Sequence, residues 1–166
     1  MDAPRLMRPG GIRTLTPGER ALAREAFAGA IDLARLRLFA IPLWRRAFVP
    51  NGGWIVWPGH AAPQDFAAAP LRDQAVFVHE LTHVWQAQSG VNLILGKVRA
   101  GDGAQAYHYD LSETGDFRSL NIEQQAMVVQ DAFLAARGVR MAYESAAYSA
   151  ILATWPGSPW SSPQQV

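Results

Sequence analysis

The chain has no cysteine among its 166 residues, which excludes disulfide scaffolds, thiolate zinc fingers, iron–sulfur clusters and cysteine nucleophiles. Lysine is almost absent too: Lys97 stands alone among the fifteen basic residues, the rest being arginine, which reads as a coding bias. Neither sign of charge is in surplus. Fifteen cations against fourteen carboxylates leave a formal net charge of +1, so phosphate neutralisation is not the design and no nucleic-acid partner is expected. No run approaches eighteen apolar residues, so no membrane span is expected. The stretch Met1 to Arg20 carries charge, Pro and Gly but no hydrophobic segment, so no Sec signal peptide is expected. The expected location is cytoplasmic, with export by a route that uses no cleaved signal left open. Internal repeats are also absent.

What is present suffices for one folded unit. Hydrophobic residues make up 49% of the chain, enough for a core in a single domain of this size. The expected domain is 1–154, followed by a Pro/Ser-rich tail over 155–166. Thr16-Pro17-Gly18-Glu19 is a capping-box pattern that opens a helix running to about Ile31. Arg35 to Phe39 alternates polar and apolar residues as a half-buried strand does. Phe48-Val49 and Trp54 to Trp57 flank Pro50-Asn51-Gly52-Gly53 and predict a hairpin, with Trp54-Ile55-Val56-Trp57 as a plausible edge strand. A long buried helix is expected from Pro70 to Gln88, and further helices from Asn121 to Ala136 and Met141 to Thr154. Residues 91–118 show no clear period beyond a short extended segment at Tyr107 to Leu111.

The chemistry is concentrated in His79-Glu80-Leu81-Thr82-His83, inside the buried helix. Residues four apart share a helical face, so both imidazoles can reach one ion at about 2.0–2.1 Å. Glu80 projects beside the pair, placed to contact a water rather than the ion. An ordinary helix with two histidines explains this less well, because two imidazoles and a carboxylate interrupting an apolar helix need a compensating partner.

A third protein ligand is required, and His108 and Glu123 are the candidates. The position six residues beyond His83 is Ser89, so the metzincin pattern fails. Glu123 opens a helix in Leu120-Asn121-Ile122-Glu123-Gln124-Gln125-Ala126, and a carboxylate in the first turn of a helix packed across the first suits the His/His/Glu set of catalytic zinc. Ala126 is small enough to let the two helices approach. The expected metal ligands for Zn2+ are His79, His83 and Glu123.

These two segments together resemble the gluzincin zinc metallopeptidases in compact form. The run Phe77 to Gln86 is also similar to the small bacterial proteins called Vgr-related and to the metallopeptidase-like module of contractile injection systems. The resemblance covers roughly residues 16–137. It implies an α+β, zincin-like (minimal gluzincin) fold, in which a small, mostly antiparallel sheet packs on the metal-binding helix and a downstream glutamate helix. One departure is Met127, which stands where larger thermolysin-like enzymes carry an acidic residue that orients a histidine; Asp131 and Asp116 are the alternatives. The chain has no β-helical repeats, so it is not itself a Vgr needle.

The implied function is a zinc-dependent metallopeptidase-like hydrolase, in which a zinc-activated water attacks an amide carbonyl and Glu80 is the general base. His108 is the first candidate to stabilise the oxyanion, with Tyr107 or Tyr109 as substitutes. His60, after a Pro-Gly turn, is expected at the surface. The alternative is a catalytically weak or silent zincin-like domain, acting as a binding or effector-associated module of a bacterial secretion system. The partners are accordingly a peptide or protein substrate and, under the alternative, a secretion-machinery protein.

Overall fold

The computed structural model describes residues 5–101 and 103–155. The chain begins with a short strand β1 (Ile12–Thr14) and helix α1 (Pro17–Phe27), followed by strands β2 (Arg37–Ile41), β3 (Phe48–Asn51) and β4 (Trp54–Pro58). Four helices complete it: α2 (Leu71–Gln88), α3 (Leu93–Ala100), α4 (Ile122–Ala135) and α5 (Ser145–Ala153). This is a mixed α+β fold of five helices and one four-stranded sheet among the described residues.

The sheet order is β1-β2-β4-β3. β1–β2 and β3–β4 are antiparallel and β2–β4 is parallel. The predicted Asn-Gly hairpin joins β3 to β4, but the edge assignment is corrected. β4 lies inside the sheet and β3 forms its edge. The reason is visible in Ile55, Val56 and Trp57, which are buried on both faces as an interior strand requires.

The capping box at the start of α1 is the hub of this half of the molecule. Thr16 Oγ1 accepts from the Glu19 amide, and Glu19 Oε2 accepts from the Thr16 amide at 2.8 Å. The fully buried Glu19 carboxylate also takes a bidentate Arg13 guanidinium at 2.6 and 2.7 Å and the Phe66 amide at 2.9 Å. A buried charge is tolerable only when paired and hydrogen-bonded, and this one is both. It joins β1, α1 and the turn before α2.

α2 is buried around most of its circumference, with Phe77, Val78, Leu81 and Val84 fully enclosed. Its last turn is tied to the hairpin: Gln88 Nε2 donates to the Gly52 carbonyl at 2.8 Å and Gln88 Oε1 accepts from the Asp32 amide at 2.7 Å. A side chain at position 52 would meet Gln88 Cγ at 2.8 Å, so glycine is required for that approach. α4 crosses α2 with fully buried Ala126 in its first turns, as its small size predicts. Trp155 belongs to the core: its ring stacks on Phe117 at 5.2 Å and lies against Trp85 and Phe27. The rest of the expected tail, 156–166, lies outside the described residues.

Elsewhere, the segment Tyr107 to Leu111 is not a strand; a 3-10 turn at Ala104–Ala106 leads into it, and its backbone pairs with no strand. α5 starts at Ser145, four residues later than the sequence pattern suggests. No helix among the described residues is long and apolar enough to cross a membrane.

Candidate metal centre

Helical periodicity sets His79 and His83 on one face of α2, their ring centroids 5.0 Å apart. Glu123 arrives from α4, whose start is fixed by a second capping box. Asn121 Oδ1 accepts from the amides of Glu123 and Gln124, both at 2.9 Å, and Gln124 Oε1 accepts from the Asn121 amide at 3.0 Å. This cap holds Glu123 in the first turn, facing α2. Its Oε2 lies 3.5 Å from His79 Nε2 and 3.4 Å from His83 Nε2.

These three side chains form the single group of potential metal donors among the described residues, with donor atoms all within 4.8 Å of one another. Ligands at about 2.0–2.1 Å from one ion in tetrahedral geometry lie about 3.3 Å apart. The carboxylate–imidazole spacings match. One further atom points the same way: Glu80 Oε2 is buried with no hydrogen-bond partner among the described residues. The donor set and its spacing fit a zinc ion.

The electrostatics are those of a tightly packed acid–base cluster. Burial pushes the Glu80 carboxyl above its ordinary range, against the opposing pull of the two imidazoles. Burial would also raise Glu123, but His79, His83 and Lys97 outweigh it and hold that carboxyl well below the usual range. For His83, burial disfavours the cation, yet Glu123 and Glu80 more than offset it and shift the imidazole upward.

Two residues that the sequence reading missed complete the centre. Lys97, from α3, donates from Nζ to Glu123 Oε1 and to the Tyr107 hydroxyl at 3.2 Å. Gln86, one turn after His83, places its Oε1 2.8 Å from His83 Nδ1. Its Nε2 donates to the Ile122 carbonyl at 3.0 Å and to Gln125 Oε1 at 2.9 Å. The signal for Gln86 was its i+3 spacing from His83. No comparable signal marked Lys97.

The centre opens into a cleft of about 520 Å³ whose floor is His79, Glu80, His83 and Glu123. Its walls come from β3 and the preceding residue on one side and from α3 on the other, with Tyr107 at one end. His108 is not among the residues that line it. Its side chain is exposed, and its backbone carbonyl accepts from Gln124 Nε2 at 2.6 Å. The turn at Ala104–Ala106 faces Tyr107 to the cleft and carries the next residue outward. Tyr109 turns inward instead, donating to Asp131 Oδ2 at 2.5 Å and lying 3.2 Å from the Tyr148 hydroxyl. Asp116 caps a 3-10 turn and pairs with Arg118 at the surface. Of the two carboxylates suggested to orient a histidine, Asp131 alone is buried. His60 is exposed as expected.

No protein-family model matches the chain. The sequence is 31% identical over 153 residues to the type VI secretion system spike protein VgrG2b of Pseudomonas aeruginosa. That match takes in 87% of this chain but 15% of the spike protein, so the chain spans a small part of that relative's length. A solved structure, the effector domain of Pseudomonas aeruginosa VgrG2b, is similar over 92% of this chain and 86% of the domain, with a TM-score of 0.68 at 32% identity. With the likeness extending over most of both folds at that identity, the chain belongs to the Vgr-related family represented by the VgrG2b effector domain.

Proposed function

We propose that this chain is an effector module of a type VI secretion apparatus whose chemistry is zinc-dependent hydrolysis of an amide bond. In this reading the fold is a compact zincin of gluzincin type, and His79, His83 and Glu123 hold the metal. The observation that carries it is the convergence of three buried donors from α2 and α4 beside Glu80, whose Oε2 has no partner among the described residues. A structural zinc site needs no such carboxylate.

Zinc, when bound, supplies a Lewis acid that polarises a carbonyl and brings the acidity of water toward neutrality. The remaining work falls to the chain. Glu80, with its affinity for a proton raised by burial, takes the proton of the attacking water on a carboxylate oxygen and passes it to the leaving amine. The Tyr107 hydroxyl, held by Lys97, is the donor best placed to meet charge developing on the substrate oxygen. Gln86 fixes the His83 ring so that Nε2 keeps its lone pair toward the centre.

A second reading is favoured by the relative itself, which is named as a spike protein and whose matching part is named as an effector domain. The module would then associate with the secretion machinery and act by binding, its metal serving the fold. Measuring zinc by elemental analysis and hydrolysis of a protein substrate such as casein, for wild type and Glu80→Gln, separates the two. Zinc in both proteins with turnover in wild type alone supports the hydrolase. Zinc in both with no turnover on casein or a broad peptide library supports the binding module.

A further inference from the structure

The walls of the cleft differ in character from its floor. On α3, the residues Leu93, Ile94, Lys97 and Val98 recur at one-turn spacing and all border the cleft. Lys97 reaches down to Glu123, whereas Ile94 and Val98 remain 76% and 73% exposed. Phe48, on β3 across the cleft, is also exposed. α3 is held here by close approach: a side chain at Gly96 would meet Ile122 Cδ1 at 2.9 Å, so glycine lets the helix lie against the start of α4. Among the described residues, no carboxylate other than Glu80 and Glu123 borders the cleft.

We infer that the cleft selects a peptide segment with a bulky apolar side chain next to the amide that is cut, seated between Phe48 and the Ile94–Val98 face of α3. The inference rests on the hydrolase reading, since an amide brought to Glu80 must lie between these two walls. Apolar groups left open to water gain free energy when covered, and only an apolar side chain covers them without stranding a polar group. A stem peptide of small and acidic residues would leave Ile94 and Val98 in water and bring carboxylates to apolar walls. The expected substrate is therefore an extended, apolar-rich protein segment rather than a cell-wall peptide.

Binding tests this apart from turnover. The full chain carrying Glu80→Gln, loaded with zinc, is titrated with fluorescent Gly/Ser hexapeptides that carry one central Leu, Phe, Ala, Ser or Glu. The Leu and Phe peptides should bind at least about 10-fold more tightly than those with Ser or Glu. Ile94→Gln and Val98→Gln, exposed and helix-compatible, should reduce that difference to less than about threefold while zinc content and melting temperature stay unchanged. Phe48→Ser provides the same test from the opposite wall. Equal binding of all peptides, preference for Ser or Glu, no binding by any, or selectivity that survives these substitutions would overturn the inference. Selective binding without cleavage by the wild type would remove the hydrolase reading and leave the apolar selectivity standing.

Discussion

Gln86 Oε1 sits 2.8 Å from His83 Nδ1, and the direction of that hydrogen bond is determined by the far side of the amide. Gln86 Nε2 faces the Ile122 carbonyl, which can only accept, so the oxygen must be the atom turned to the imidazole. His83 Nδ1 therefore carries the proton and Nε2 is free to ligate. Gln86→Leu keeps the volume and removes this acceptor. Zinc affinity should fall about 10- to 100-fold, measured by competition with a chelating dye, with the fold checked by circular dichroism.

The donors and the base should separate cleanly by substitution. His79→Ala and Glu123→Ala should remove zinc, read by elemental analysis. Glu80→Gln should retain it, while hydrolysis of any substrate found falls about 10²- to 10⁴-fold. Retention of stoichiometric zinc by Glu123→Ala would exclude it as a ligand.

Stripping the metal should destabilise the folded chain. A ligand that binds only the native state at 100 times its dissociation constant stabilises it by about 2.7 kcal/mol. The melting temperature should drop on chelation and recover with added zinc. In His79→Ala neither treatment should move it.

The Glu19 hub offers a test that is independent of the metal. Glu19→Ala strands the Arg13 guanidinium, the Thr16 amide and the buried Phe66 amide at once. Breaking a buried ion pair by removing one partner costs about 3–5 kcal/mol, and denaturant unfolding should show a loss of that size.

Much of this fold was written in local chemistry. Thr16 to Glu19, Asn51-Gly52 and the His79–His83 pair each work through neighbours within four residues, so spacing alone revealed them. Glu123 was legible because its place in a first helical turn is also local. α3 was missed because none of its residues is buried, so its apolar positions follow no core-facing stripe; its N-cap, Asn92, which accepts from the Leu95 amide, was the available clue. Lys97 joins Glu123 only through tertiary packing. The edge-strand error at Trp54–Trp57 came from reading an apolar run as one-sided, when residues buried on both faces belong to a central strand. His108 and Tyr107 are adjacent, and which of them faces the cleft depends on a 3-10 turn that the sequence pattern did not show.

Glu123 is the second residue of α4, so a donor of the centre belongs to the part of a helix that opens most readily. Three carboxylate contacts, to His79, His83 and Lys97, join the Asn121 cap and the hydrogen bonds of Gln86 to the Ile122 carbonyl and of Gln124 to the His108 carbonyl in anchoring that turn to its surroundings. In the proposed zinc reading, occupancy of the centre and fraying of α4 are one equilibrium seen from two ends. Amide hydrogen exchange at Glu123 and Gln124 becomes a gauge of metal loading that needs no substrate, slowing as the ion enters and quickening as it leaves.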